Sequence, residues 1–499
     1  MEPGTNGSRG TDIAGATTLK RNALTMPETL AQSVANAAPS AAMALLPLLV
    51  FLNAGNGTWF AFVVALGLML CIGYCAAQFA RRMNSAGSFY VWVTQALGPA
   101  AGHTAGWALL LGYIFTGVAT VYGFGIFAGD LSHRVFGVDP LYPLMLVVLF
   151  AIEAALAAAV AIYDINLSAR TSLVLESISV LAILTLCIAV WVIRGPIDTS
   201  QLSFKGVVPG GVVIGVVLAI FAFVGFESAG SLGMEAKDPF RNVARAIITS
   251  AILVGAFYVI VSYSQTLGFQ PTNGGYAKSS APMPDLAVLL GLGWLAIIID
   301  IGISISMFAC TLACINAAAR MAMTMAHDGM GVPALKRTHP TRKTPTAAIV
   351  TVAVPMLAVP FLTSFLRQSP VDSTGWTGTL ATFGFMLAYA LVALGAPVYL
   401  RRIKQATAVV WVLGMIGLVS MIVVFYASWL PQTIPVISFP PLTGIYVWLP
   451  YMWMAWTAIG LIWYFTVRSR TPDVASGIGS RFHSVETHEA EAQEAARVG

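Results

Sequence analysis

The chain alternates long apolar runs with short polar ones. A membrane crossing needs about 20 mostly apolar residues. Runs of that kind lie near 28–52, 57–80, 100–128, 141–163, 170–193, 211–234, 246–269, 286–320, 346–366, 377–400, 407–430 and 444–466. The pattern predicts twelve membrane-spanning helices. The run 286–320 exceeds one crossing and is expected to tilt or to continue as helix past the membrane surface. Polar sequence flanks the set, so residues 1–26 and 469–499 read as tails. Between them, 27–400 forms a ten-span core, divisible near 27–195 and 210–400, and 401–468 adds two more helices.

Composition sharpens the class. Hydrophobic residues make up 58% of the 499 and charged residues 9%, where a soluble protein carries roughly a quarter charged. So few charges cannot cover a water-facing surface. That excludes a soluble enzyme, a nucleic-acid-binding protein and a disordered chain, and leaves an all-α polytopic protein whose partner is the lipid bilayer. The net charge of +5 reads as topology. With the N-terminus in the cytoplasm, only Arg134, Arg194, Lys205, Lys278 and Arg367 fall on the far side, and the other 21 of the 26 Lys and Arg face the cytoplasm. The excess of inside bases predicts a cell-membrane protein with both termini cytoplasmic. Cys71, Cys75, Cys187, Cys310 and Cys314 all sit in apolar runs without further ligands nearby, so they read as packing residues, and no metal or cofactor is expected.

Two spans carry interruptions at matching depth. Span 1 holds Asn36-Ala37-Ala38-Pro39-Ser40, where the proline removes a backbone donor and disfavours helix just before it. Span 6 holds Phe223-Val224-Gly225-Phe226-Glu227-Ser228, a glycine beside an acid. Spans 1 and 6 are five apart, the spacing of two inverted five-span repeats in which paired broken helices bind substrate at the midplane. Helix N-termini there suit a carboxylate and exposed carbonyls an ammonium group.

Acids inside spans are costly and functional by default. Glu153, Glu176, Glu227 and Asp300 qualify, and no Lys or Arg falls deep enough in a predicted span to neutralise them. Glu227 adjoins the span 6 break and is the first candidate to carry a coupling proton, with Glu176 second. Glu153 and Asp300 are expected to bond neighbouring helices. An integral membrane enzyme is the alternative from another class, but His103 and His133 have no partner at ligand or nucleophile spacing. No phosphate-binding motif points to ATP-driven transport, and no repeated filter sequence points to a channel.

The stretch 221–247 resembles the amino acid–polyamine–organocation transporter family. Its aromatic-rich segment corresponds to Phe223, Gly225, Phe226 and Glu227, followed by Glu235 and by Lys237, Asp238, Pro239 and Arg241. Ser85-Ala86-Gly87-Ser88-Phe89-Tyr90 with Ala96-Leu97-Gly98 is similar to the family's signature between spans 2 and 3. Arg320-Met321-Ala322, Asp328-Gly329, Pro333, His339-Pro340 and Thr344-Pro345 resemble its loop between spans 8 and 9.

The resemblance implies the leucine-transporter-type fold of five plus five spans with two appended, working by alternating access on an amino acid or a related amine. It implies a small-molecule substrate whose carboxylate meets backbone N–H groups near Pro39, Ser40 and Ala41. The amine would meet carbonyls around Ala37, Ala222, Phe223 and Phe226, with Ala38 and Gly225 completing the breaks. Phe221, Phe223 and Phe226 form the expected aromatic gate, and Tyr113 a wall. Symport with a proton or exchange of one amino acid for another is expected, sodium remains open through Ser304, Ser306 and Thr311, and a polyamine or organic amine permease is the alternative. Where some proton-coupled relatives carry Lys in span 5, this chain has Ser179, which turns the coupling question to its carboxyls.

Overall fold

Pro39 decides how the first span is built. The computed structural model describes residues 25–83, 88–138, 143–163, 166–232, 236–272, 274–339, 344–430, 442–472 and 474. In it the span is two helices, α1 (Met26–Ala37) and α2 (Pro39–Ala54). Ala38 between them is left-handed, φ 42° and ψ 62°, a conformation that costs a non-glycine residue about 1–3 kcal/mol and is held by its surroundings. Pro39 then occupies the first position of α2, where its missing N–H costs nothing. The chain turns at Gly55–Gly57 into α3 (Thr58–Ala80). A short α4 (Ser88–Leu97), then α5 (Pro99–Phe136), α6 (Pro143–Tyr163) and α7 (Asn166–Arg194) complete the first half.

The second half repeats the plan. After a one-turn helix α8 (Thr199–Leu202), α9 (Pro209–Ala222) stops where span 6 was expected to break. Residues 223–227 form turns and Ser228–Leu232 a 3-10 segment. Then come α10 (Pro239–Phe269), two short helices α11 (Gly275–Lys278) and α12 (Pro282–Leu289), α13 (Gly293–His327), α14 (Thr346–Phe365) and α15 (Pro370–Arg402). The chain adds α16 (Ala408–Trp429) and α17 (Leu449–Arg470).

Nine stretches among the described residues are long and apolar enough to cross a membrane, and one of them, Pro39–Ala80, is α2 and α3 in series. Counting those two separately gives ten, and the 14-residue α9 and the 22-residue α17, which fall outside that set, bring the helices at the predicted spans to twelve. Of the run 286–320, the part from Gly293 onward is α13, which continues as helix beyond 320 to His327, while the start of the run is not part of that helix. α12 ends at Leu289, Gly291 turns the chain at φ 76°, and α13 starts at Gly293, so the first apolar residues belong to a connecting segment. Span 10 starts at Pro370, earlier than 377, because Ser369 caps the helix by accepting from Asp372 N–H.

The halves are related by their packing. α2 lies on α9, α3 on α10, and α5 on α13, each span against its counterpart five later. The pair α5–α15 is mirrored by α13–α7. An odd number of crossings per half makes the second half run opposite to the first, as inverted repeats require. α16 rests on α15 and α3, and α17 on α5 and α15. Leu144, Ile188, Leu362 and Ile422 are exposed on outer faces, the surface a bilayer covers.

Candidate substrate site

The two interruptions touch each other. Gly225 has φ 103°, and a Cβ there would lie 2.7 Å from the carbonyl carbon and oxygen of Asn36. Only glycine lets the span 6 turn come this close to the end of α1. From α10, the buried Tyr258 hydroxyl donates to Ala222 O at 2.5 Å and sits 3.3 Å from Ala37 O. One side chain therefore holds the last carbonyls of α1 and α9. Farther along α2, Pro47 deprives the Met43 carbonyl of its helical donor, and Gln265 Nε2 supplies one at 2.7 Å. Tyr276 of α11 donates in turn to Gln265 Oε1 at 2.9 Å.

A cavity opens at the crossing. Ala37, Ala38, Ala41, Phe221 and Ala222 line it, with Ala42, Leu45, Leu46 and Val224 from the same segments, and Thr116, Ala119 and Thr120 of α5, Met307 and Cys310 of α13 and Thr374 of α15 complete it. These last were missed. Their only signal is Thr116 and Thr120 at i, i+4 in an otherwise apolar run, one turn past Tyr113. Pro39, Ser40, Phe223, Gly225 and Phe226 are not among the lining residues. The Phe223 ring packs edge-on against Tyr258, centroids 5.0 Å apart, and Phe226 against Tyr389 at 5.9 Å, so of the three expected gate rings only Phe221 faces the cavity. Tyr113 meets Phe385 at 5.2 Å instead of forming a wall.

Glu176 takes the place expected for a substrate carboxylate at the start of α2. Its Oε1 accepts from Ser40 N–H at 2.8 Å and Ser40 Oγ at 2.7 Å, and its Oε2 accepts from Ser306 Oγ at 2.5 Å. A helix N-terminus favours negative charge there, and the contact ties α2, α7 and α13 together. Ala41, next along the same first turn, still faces the cavity, and first-turn N–H groups lack an intrahelical acceptor.

Glu227 is buried on the other side of the crossing. It accepts from Tyr389 Oη at 3.0 Å and from Gly225 N–H at 3.1 Å, with the Tyr113 hydroxyl beside it.

The other two acids differ. Asp300 bonds a neighbouring helix as expected, but the partner is a base that the predicted spans left out of reach: Arg134 Nε of α5 meets it at 3.1 Å while also pairing with Asp130 at 2.6 Å and Asp285 at 2.8 Å. The predicted span stopped at 128, but α5 runs on to Phe136 and carries Arg134 to the start of α13. Glu153, expected to bond a neighbouring helix, has neither oxygen partnered. Of the hydroxyls considered for sodium, Ser306 is committed to Glu176. Thr311 bonds Met307 O at 3.2 Å and Thr120 Oγ1 at 2.7 Å, and Ser304 Oγ has no partner. Ser85–Gly87 and Glu235 lie outside the described residues.

Broken helices from the two halves thus cross at a buried cavity in a multi-pass membrane protein. The sequence profile of the family described as "Amino acid permease" matches residues 29–466, and the chain belongs to that family. It is similar to the branched-chain amino acid permease BcaP of Bacillus subtilis, 28% identical over 59% of this chain and 65% of the relative. It is also similar to the human cationic amino acid transporter 4, 27% identical over 68% of this chain and 54% of the relative. The methylthioribose transporter of Bacillus subtilis is 23% identical over 83% of this chain and 86% of the relative. The chain thus spans just under two thirds of BcaP and about half of the human relative.

Proposed function

We propose that the protein is a secondary transporter that moves amino acids with uncharged, apolar side chains across the cell membrane by alternating access, with both termini in the cytoplasm. The observation that carries this reading is the cavity lining: alanines, Leu45, Leu46, Phe221, Val224, Met307 and Cys310, with three threonines and no acidic or basic side chain. A cationic side chain would enter such a site without a counter-charge, at a cost that an apolar one avoids. The carboxylate and amine of the substrate have backbone partners at the crossing, the first-turn N–H of Ala41 and the second lone pairs of the Ala37 and Ala222 carbonyls. Neither Glu227 nor Glu176 lines the cavity, which favours an amino acid with an uncharged side chain over a polyamine.

Coupling falls to a carboxyl, and we place Glu176 ahead of Glu227. Its partners include the N–H and hydroxyl of Ser40 at the helix break, so adding a proton weakens the hold on α2 next to the substrate. Sodium is the alternative that the hydroxyls leave open.

Purified protein in proteoliposomes tests both parts. Branched aliphatic amino acids should accumulate and compete with one another, lysine and polyamines should do neither, and an inward proton gradient should raise uptake. Glu176→Gln should move substrate without responding to the gradient. Uptake of lysine in preference to leucine would overturn the substrate class. A gradient response kept by Glu176→Gln and lost in Glu227→Gln would move coupling to Glu227.

A further inference from the structure

Glu153 is a buried acid to which the reading above gives no role. It lies midway along α6 with no exposed surface, and neither of its oxygens has a hydrogen-bond partner. The ion pairs among the described residues centre on Arg134, elsewhere on α5. An isolated ionised carboxylate is among the costliest groups to bury, so the position favours a carboxyl that holds its proton.

The surroundings give that proton a way out. Thr311 of α13 stands beside Glu153, Thr311 Oγ1 pairs with Thr120 Oγ1 of α5 at 2.7 Å, and Thr120 lines the cavity. Two hydroxyls therefore connect a carboxyl behind the wall to the space where substrate sits. α6 packs against α14, α5 and α13. α14 contains no titratable residue. α5 presents Tyr122, whose ring meets Phe150 one turn from Glu153 with centroids 5.5 Å apart. α13 presents Cys314, which lies within electrostatic range of Glu153.

We propose that Glu153 is an internal proton-binding site served from the substrate cavity through the Thr120–Thr311 hydroxyl pair. A proton arriving from cavity water at Thr120 Oγ1 displaces that hydroxyl's own proton to Thr311, which passes its proton to the carboxylate. Both threonines end neutral and the carboxylate becomes a carboxylic acid; release runs the same path backwards. The site rests on the cavity as geometry, whatever the cavity carries.

Infrared difference spectroscopy on the full chain in lipid vesicles tests this without measuring transport, so a protein that moved no amino acid would still answer. The wild type should show the carbonyl stretch of a buried carboxylic acid, and Glu153→Gln should lose it. If that variant does not fold, Glu153→Asp makes the assignment by displacing the band. Raising the bath pH should discharge the band in the wild type. Thr120→Val, nearly the same shape but without the hydroxyl, should keep the band and slow its response by about tenfold, the effect of losing one hydrogen bond from the path. A wild type without the band would overturn the proposal, and so would a response that Thr120→Val leaves unchanged.

Discussion

Tyr258 carries one hydroxyl to the place where two helices have run out of their own donors. Removing it leaves the Ala222 carbonyl, 2.5 Å away, and the Ala37 carbonyl without that partner in a buried site. An unsatisfied buried acceptor costs about 1–3 kcal/mol, so Tyr258→Phe should lower the thermal midpoint measured in detergent. It should also weaken substrate affinity by about tenfold, because those carbonyls are the proposed amine contacts. Unchanged affinity with lowered stability would show that the amine binds elsewhere. Residue by residue, local chemistry was readable in advance and orientation was not. Pro39 and Gly225 act on their own backbone, so they marked both breaks from the sequence. Phe223 and Phe226 sit in a break but face Tyr258 and Tyr389, because which side of a turn meets the cavity depends on how distant helices pack.

Among the elements, α8 shows how a connection can depend on one charge. The Asp198 carboxylate caps it, accepting from Ser200 N–H at 2.9 Å, Ser200 Oγ at 2.7 Å and Gln201 Nε2 at 2.8 Å, and Gln270 after α10 also donates to it. Burial alone would favour the neutral acid, but the hydrogen bonds from Ser200 and Gln201 outweigh it and hold Asp198 below the usual aspartate value. A carboxyl lowered in the folded state adds stability that is fully present above its unfolded pKa and is lost as pH falls through the folded one. Asp198→Asn should therefore loosen α8 at neutral pH by about 1 kcal/mol, the ordinary worth of a cap, and match the wild type in acid. Hydrogen exchange of residues 199–205 across pH reads this directly, and a difference that persisted in acid would rule the charge out. Element boundaries were legible where a cap or proline stood, as at Pro370. They were not at 286–320, where hydropathy continued through the turn at Gly291.

At the scale of the whole molecule, the two-half packing predicts how the cavity must be reached. α2 and α9 belong to opposite halves and meet at the site, so under the proposed alternating access a relative tilt of the halves would expose the same cavity first on one side of the membrane and then on the other. Cys310 is a native reporter, since it lines the cavity while Cys75, Cys187 and Cys314 are buried away from it and Cys71 is only partly exposed. With those four changed to alanine, a membrane-impermeant maleimide should label Cys310 both in right-side-out and in inside-out vesicles. Leucine should protect it in each orientation, because one site is being visited from two directions. A fixed pore would also label from both sides, but a small permeant substrate would shield it poorly and counterflow would be absent. A binding protein with one permanent opening would label from a single side only. Labelling from one face alone would therefore contradict alternating access even if the amino acid preference proved right, which separates what the halves do from what the cavity lining selects.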